Sequence, residues 1–421
     1  MFKELLMKRV LFFCLLVGFV MSFTSRLFSP TWGFFGHQRI NHLAVFTLPQ
    51  EAIAGFKDNI VFLTEHAIDP DKRRYASDSE APRHFIDLDE YPNEPPRKWA
   101  DALMCHTQLG MITSGNDTIW LSESDAILRG KNLGWVGRGV RKLTGNDTMW
   151  ITASTIRTMY FSYVLPVFYE GSWTFPADSM RQKLLAEGIE CPEIQQVFGA
   201  DGISKHGILP YNLMQSKYRL TEAFRKHDLR GILRNCADIG HYIGDAHVPL
   251  HTTSNYNGQK TGQTGIHAFW ESRLPELFAD EQYDYFVGTA QYISDTDDFF
   301  WNIIAESHAL VDSVLLIEKD LSRTFPADQQ YTFEQRGTQA SQTQSRAYSE
   351  AYQTRMNGMV ETRLRAATLA VGSIWYTCWI DAGRPAWPKD FSMPLAQEVE
   401  EEKQVEKRFQ LGKILGREHD N

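Results

Sequence analysis

Residues 241–251 read HYIGDAHVPLH and residues 267–271 read HAFWE. In each stretch a histidine stands four positions before a carboxylate, His241 before Asp245 and His267 before Glu271. Side chains four apart share a helix face. The spacing therefore predicts two helices, each offering an imidazole nitrogen and a carboxylate oxygen on one side. His251 stands between the pairs, after Pro249 has ended the first helix. With 13 histidines in 421 residues chance supplies one or two such pairs, but rarely two within 31 residues with a further histidine between. Mixed nitrogen and oxygen donors at this spacing follow the logic of the H-x-x-x-H zinc helices.

Most of the remaining chain reads as helix. GHQRINHLAVFTLP sets Ile40, Leu43, Ala44 and Leu48 at helical spacing before Pro49 stops the run. Two further helices are expected on either side of a joint at His227 to Gly231, and a long amphipathic helix ends at Gly383, before Pro385. No segment sustains period-two alternation, so the expected fold is all-α.

The first 31 residues read separately. Lys3, Lys8 and Arg9 precede the apolar run VLFFCLLVGFVMSF, the pattern of a secretory signal peptide. This implies a secreted or periplasmic protein. An uncleaved membrane anchor is the alternative, although 14 apolar residues are short for a span. Residues 32–395 form the expected domain, with 105–191 a loop-like insertion that carries the echo SGNDTIW and TGNDTMW. Within it, Met149 to Phe168 is apolar except for Arg157. A helix packed on the core is the simplest reading, a lid or a transient membrane contact the alternative. Residues 396–421 are highly charged and read as a solvated helix or frayed end. Beyond the leader the four cysteines, Cys105, Cys191, Cys236 and Cys378, permit two disulfides or four free thiols.

The formal charge of −9 argues against polyanion binding through a broad basic surface. It does not exclude a phosphate-bearing substrate, because bound divalent cations would add local positive charge. No protein partner is expected.

Taken in order, WGFFGH (Trp32, His37), DPDKRR (Asp71), RHFIDLD (His84), HYIGDAHVPLH (His241, Asp245, His251) and GIHAFWE (His267, Glu271) resemble one known pattern. It is that of the zinc-dependent phospholipases C and the single-strand-specific zinc nucleases. The resemblance implies a multi-helix bundle around three zinc ions on these nine residues, with Asp245 shared between two ions. Asp69 competes with Asp71 for one position, and Pro70 before Asp71 favours the latter. The resemblance also implies cleavage after Thr31, because Trp32 would bind zinc through its free amine and backbone carbonyl. Asp71 would orient or deprotonate the attacking water, and the zinc on Trp32 and His37 would help to hold the phosphate. His247, His66 and His206 are left as outer-sphere or structural residues.

The expected activity is phosphodiester hydrolysis, on a phospholipid or on single-stranded nucleic acid. Glu271 as last ligand, the short gap from His251 to His267 and a loop without Gly-Gly-Asn are phospholipase-like. The five-residue step from Trp32 to His37 and the phrase HFID are nuclease-like. A non-catalytic exported zinc-binding protein is the reading from another class.

Overall fold

A computed structural model describes residues 34–99 except 92, residue 102, short stretches between 108 and 200, residues 202–388 except 337 and 338, and residues 396–415 except 413. The leader, Trp32, Cys105 and Cys191 lie outside the described residues.

Helices make up most of the described chain. In order they are α1 (Phe34–Thr47), α2 (Ile53–Asp58), α3 (Ile60–Glu65), α4 (Asp69–Arg73), α5 (Leu209–Arg225), α6 (Leu229–Ala246), α7 (Ile266–Ala268), α8 (Leu274–Gln282), α9 (Thr296–His308), α10 (Val311–Thr324), α11 (Arg346–Arg355), α12 (Met359–Asp381) and α13 (Ala396–Leu411). The joint between α5 and α6 falls where the sequence sets it. His227 takes a left-handed φ of 53°, and the Asp228 side chain caps α6 by accepting from the Gly231 amide at 3.0 Å.

Helix α6 is central and packs on α1, α5 and α12. Trp375 of α12 is fully buried, stacks on Phe56 at 5.4 Å and donates its indole N–H to the Cys236 carbonyl at 3.0 Å. Cys236 and Cys378 are buried free thiols, so neither forms a disulfide.

Two glycines let α1 and α6 approach closely. A Cβ at Gly240 would lie 2.0 Å from the Asn41 side-chain oxygen, and one at Gly244 would lie 2.9 Å from His37 Nδ1. Gly240 and Gly244 flank His241 on α6, whereas His37 and Asn41 are one turn apart on α1. Buried Asn41 adds a polar tie, donating to the carbonyls of Leu63 and Ala237 at 3.2 and 3.1 Å. The backbones thus come close enough for both helices to place ligands in one spot.

Three expectations change. The 105–191 stretch is not simply loop-like: the described residues between 108 and 200 include seven strands. Four form an antiparallel sheet in the order β2 (Thr118–Leu121), β1 (Gln108–Thr113), β7 (Ile194–Ala200), β6 (Trp173–Phe175); three form a second in the order β3 (Ala126–Leu128), β4 (Trp135–Arg141), β5 (Thr148–Ile151). Met149 to Ile151 is therefore strand, and the rest of the apolar run to Phe168 lies outside the described residues. A further hairpin joins β8 (Tyr331–Arg336) to β9 (Gln339–Gln344). The helical class holds for the site-bearing part, with a β-containing segment set into it.

The second change is at His267 to Glu271, where α7 widens into a π turn over Phe269–Arg273 before α8. The Leu274 amide bonds to the Phe269 carbonyl, five residues back. Pro275 explains this, since it has no N–H for the Glu271 carbonyl and its ring would crowd that oxygen in a regular helix. The third change is confined to one side chain of the charged C-terminus: α13 is a largely exposed helix, as expected, but it buries Phe409 in a small core with Phe34, Ile68 and Tyr75.

Candidate metal centre

Eight of the nine sequence-selected residues fall among the described residues, and the fold gathers all eight into three adjoining groups: His37, His241 and Asp245; Asp71, His84 and His241; His251, His267 and Glu271. Each group can hold a metal ion. The ninth, Trp32, lies outside the described residues.

Asp245 lies at the middle and turns its two oxygens to different neighbours. Oδ2 is 2.9 Å from His84 Nδ1 and 3.4 Å from His241 Nε2. Oδ1 is 3.4 Å from His37 Nε2 and 3.6 Å from His251 Nε2. Glu271 faces His267 at 2.7 Å, His251 at 3.3 Å and His37 at 3.7 Å. Asp71 reaches towards His241 at 3.8 Å and His84 at 3.9 Å. Asp69 instead turns away to His66 Nδ1 at 2.6 Å, so geometry selects Asp71 of the two candidates.

These separations test whether the donors suit a metal. Two ligands on a tetrahedral zinc at about 2.0–2.2 Å are roughly 3.3–3.6 Å from each other, by simple geometry. Four Asp245 and Glu271 contacts, at 3.3 to 3.6 Å, fall in that range and are too long for good hydrogen bonds. His84–Asp245 at 2.9 Å, His267–Glu271 at 2.7 Å and the imidazole pair His84–His241 at 3.1 Å are the shorter contacts. Imidazole and carboxylate without thiolate is a donor set that zinc accepts.

The ring orientations point the same way. His241 Nδ1 donates to the Ala67 carbonyl at 2.8 Å, His251 Nδ1 to the His84 carbonyl at 2.6 Å and His267 Nδ1 to the Tyr256 carbonyl at 3.1 Å. A carbonyl can only accept, so each neutral ring must present a bare Nε2 lone pair to the cluster. His84 is reversed: its Nδ1 faces the cluster and its Nε2 faces Glu80, 3.7 Å away. His37 turns Nε2 inward, and its buried Nδ1 has no hydrogen-bond partner among the described residues.

Sequence reading missed the surrounding supports. Buried Glu80 receives Arg83 at 3.0 Å, Arg73 at 3.4 Å and the Tyr242 hydroxyl, while Arg73 also forks onto Asp238 at 2.9 and 3.2 Å. Asn257 accepts from the amides of Gly265 at 2.9 Å and His267 at 3.4 Å, starting the helix that carries His267. Arg363 of α12 donates to the His247 carbonyl at 3.1 Å and the Ser307 hydroxyl at 2.6 Å, tying the end of α6 to its neighbours. His247 donates Nδ1 to the Ile243 carbonyl at 2.8 Å and is no member of the three groups. A polar residue one turn away from a ligand is the only signal the sequence offered for Glu80, which precedes His84 by four.

Electrostatically the centre is a buried pool of negative charge. Burial alone would raise the carboxyls of Asp245 and Glu271, but the surrounding imidazoles outweigh it and hold both well below the usual carboxylate range. Asp71 is also lowered, against its burial, by His241, His84, His37 and Arg74. His37 answers them: burial pushes it down, yet Glu271, Asp245 and Asp71 bring it to about 9. Ion pairs of Asp245 and Glu271 within 4.0 Å run only to histidines among the described residues. Buried carboxylates facing only imidazole are what a bound cation would compensate.

Comparison of the chain with family models, with curated proteins and with solved structures returned no match.

Proposed function

We propose that this chain is an exported, zinc-dependent phosphodiester hydrolase of the phospholipase C type. The observation that carries the reading is Asp245, whose two oxygens face donors of separate groups, as a carboxylate shared between two ions must. Bound zinc supplies Lewis acidity towards a phosphoryl oxygen and water whose pKa is lowered towards about 7. The chain's own part is to hold these groups rigidly and to place Asp71. That side chain is 19% exposed, against 14% for Glu271 and 2% for Asp245, so it is the most open of the three carboxylates and the one placed to orient the attacking water or take its proton. The leader composition supports export, and Trp32 with a free amine would complete the His37 group.

A cavity of about 410 Å³ has in its wall Phe85, next in sequence to His84, and Tyr256, whose carbonyl accepts from His267, with Lys205, Asp78 and Asp87. The partly exposed ring of Tyr256 favours a second reading, cleavage of single-stranded nucleic acid, since bases stack on such surfaces. One secreted, zinc-replete preparation with a confirmed N-terminus separates the readings. Chelator-sensitive release of phosphocholine from phosphatidylcholine supports the first, and chelator-sensitive cleavage of single-stranded DNA or RNA alone supports the second. Three bound zinc ions with neither activity would favour a different phosphoester or a non-catalytic protein, and no bound zinc overturns the proposal.

A further inference from the structure

The C-terminal helix is attached to the segments that carry two of the metal groups. Phe409 of α13 is 5% exposed and packs edge-on against Tyr75 at 5.0 Å and against Phe34 at 6.0 Å. With Ile68 these rings form a core separate from the main one, and Ile414 packs on it. Each residue it grips lies within four positions of a candidate ligand. Phe34 opens α1 three positions before His37, Ile68 follows the Ala67 carbonyl that orients His241, and Tyr75 closes the turn after α4, which holds Asp71. Beyond the helix, the Leu415 amide donates to the Arg74 carbonyl at 2.9 Å, and the Arg74 guanidinium lies 3.5 Å from Asp71. Glu402 anchors the middle of α13 to Arg230 at 3.1 Å and to Arg234 on α6.

We infer that α13 is a brace for the metal centre: Phe409 and Leu415 are positioning residues that hold the His37 and Asp71 segments in register with α6. The inference rests on the proposed zinc site. It assigns a role to a stretch whose charge alone marks it as solvent-exposed. It also predicts asymmetry, since among the described residues the small core is built from the segments of the His37 and Asp71 groups and not from those of His251, His267 and Glu271.

The test uses the full chain with zinc, as wild type and as Phe409→Ala, Phe409→Leu and Leu415→Pro, the last removing the amide donated to Arg74. Zinc per chain and its retention against a graded chelator are read alongside the melting temperature of the metal-free proteins. The brace predicts weaker retention by about 10- to 100-fold, the effect of disturbing groups that orient metal ligands. The loss falls on part of the bound zinc, Phe409→Leu restores most of it, and Leu415→Pro reproduces it with little change in metal-free melting. Should Phe409→Ala fail to fold, Leu415→Pro and Phe409→Leu carry the same comparison. Unchanged retention in folded variants overturns the brace while leaving the zinc site intact. A wild-type chain that binds no zinc overturns both.

Discussion

The imidazoles of His37 and His241 stack with centroids 3.8 Å apart and planes 25° from parallel. One ring comes from α1 and the other from α6, and Gly244 is what permits the overlap. Gly244→Ala is expected to push His37 away, because the new methyl would stand 2.9 Å from Nδ1. Overpacking of this kind costs about 1–3 kcal/mol. Chemical denaturation should show that loss, and metal analysis should show zinc lost first from the His37 group.

Replacing the shared carboxylate should be worse for metal than for fold. Asp245→Asn keeps the shape but leaves one oxygen and an amide that can only donate. Its oxygens face both His84 and His37, so two of the three groups should lose affinity together. Activity should fall more than about 100-fold, beyond the usual effect of outer supports. Zinc counting by plasma emission against circular dichroism of the same sample checks both halves.

Glu80→Gln tests the support behind His84. The variant leaves Arg73 and Arg83 facing an amide and removes the negative charge 3.7 Å from His84 Nε2. Zinc affinity should drop by about 10- to 100-fold. Chelator competition measures this, and an unchanged affinity would show that Glu80 serves only the arginines.

The acid side of metal binding follows from His37. Its metal-free pKa of about 9 lies above the ordinary 6.5, so at neutral pH the ring carries a proton. That charge stabilises the metal-free fold fully below the unfolded pKa and is lost as pH rises through 9. Zinc must displace the proton, so affinity should increase with pH, by about tenfold per unit for this one proton. Calorimetry in buffers of different ionisation enthalpy should record proton release at pH 7 that fades above pH 9.

Much of the site was legible because helix geometry converts sequence spacing directly into a shared face. His241 and Asp245 needed only the i, i+4 rule. The contact of His84 with Asp245 spans 161 positions and has no local signal; the resemblance supplied it, and the fold brings it about. The strands were missed for a local reason. Each copy of the Asn-Asp-Thr echo leads straight into a strand, Thr118–Leu121 and Thr148–Ile151, each mixing a β-branched residue with tryptophan. Neither run alternates: Thr118–Leu121 and Thr148–Ile151 are apolar after their first threonine, and the seven-residue strand Trp135–Arg141 is interrupted by Gly137 and Gly139. The π turn had its cue in Pro275, whose missing N–H is visible in sequence, but the spacing of His267 and Glu271 made a regular helix the simpler reading. The buried face of α13 was hidden by composition: Phe409 sits among charged residues, and the few apolar residues that follow it do not repeat at helical spacing over a long run.

The central claim is that the three groups are metal sites built around Asp245. Anomalous diffraction from crystals of the zinc-replete protein, recorded on both sides of the zinc absorption edge, tests it most directly. The account predicts three peaks: one among Asp71, His84 and His241, one beside His37 and Asp245, and one among His251, His267 and Glu271. Electron density with the same side chains closed onto each other and no anomalous signal among them would contradict it.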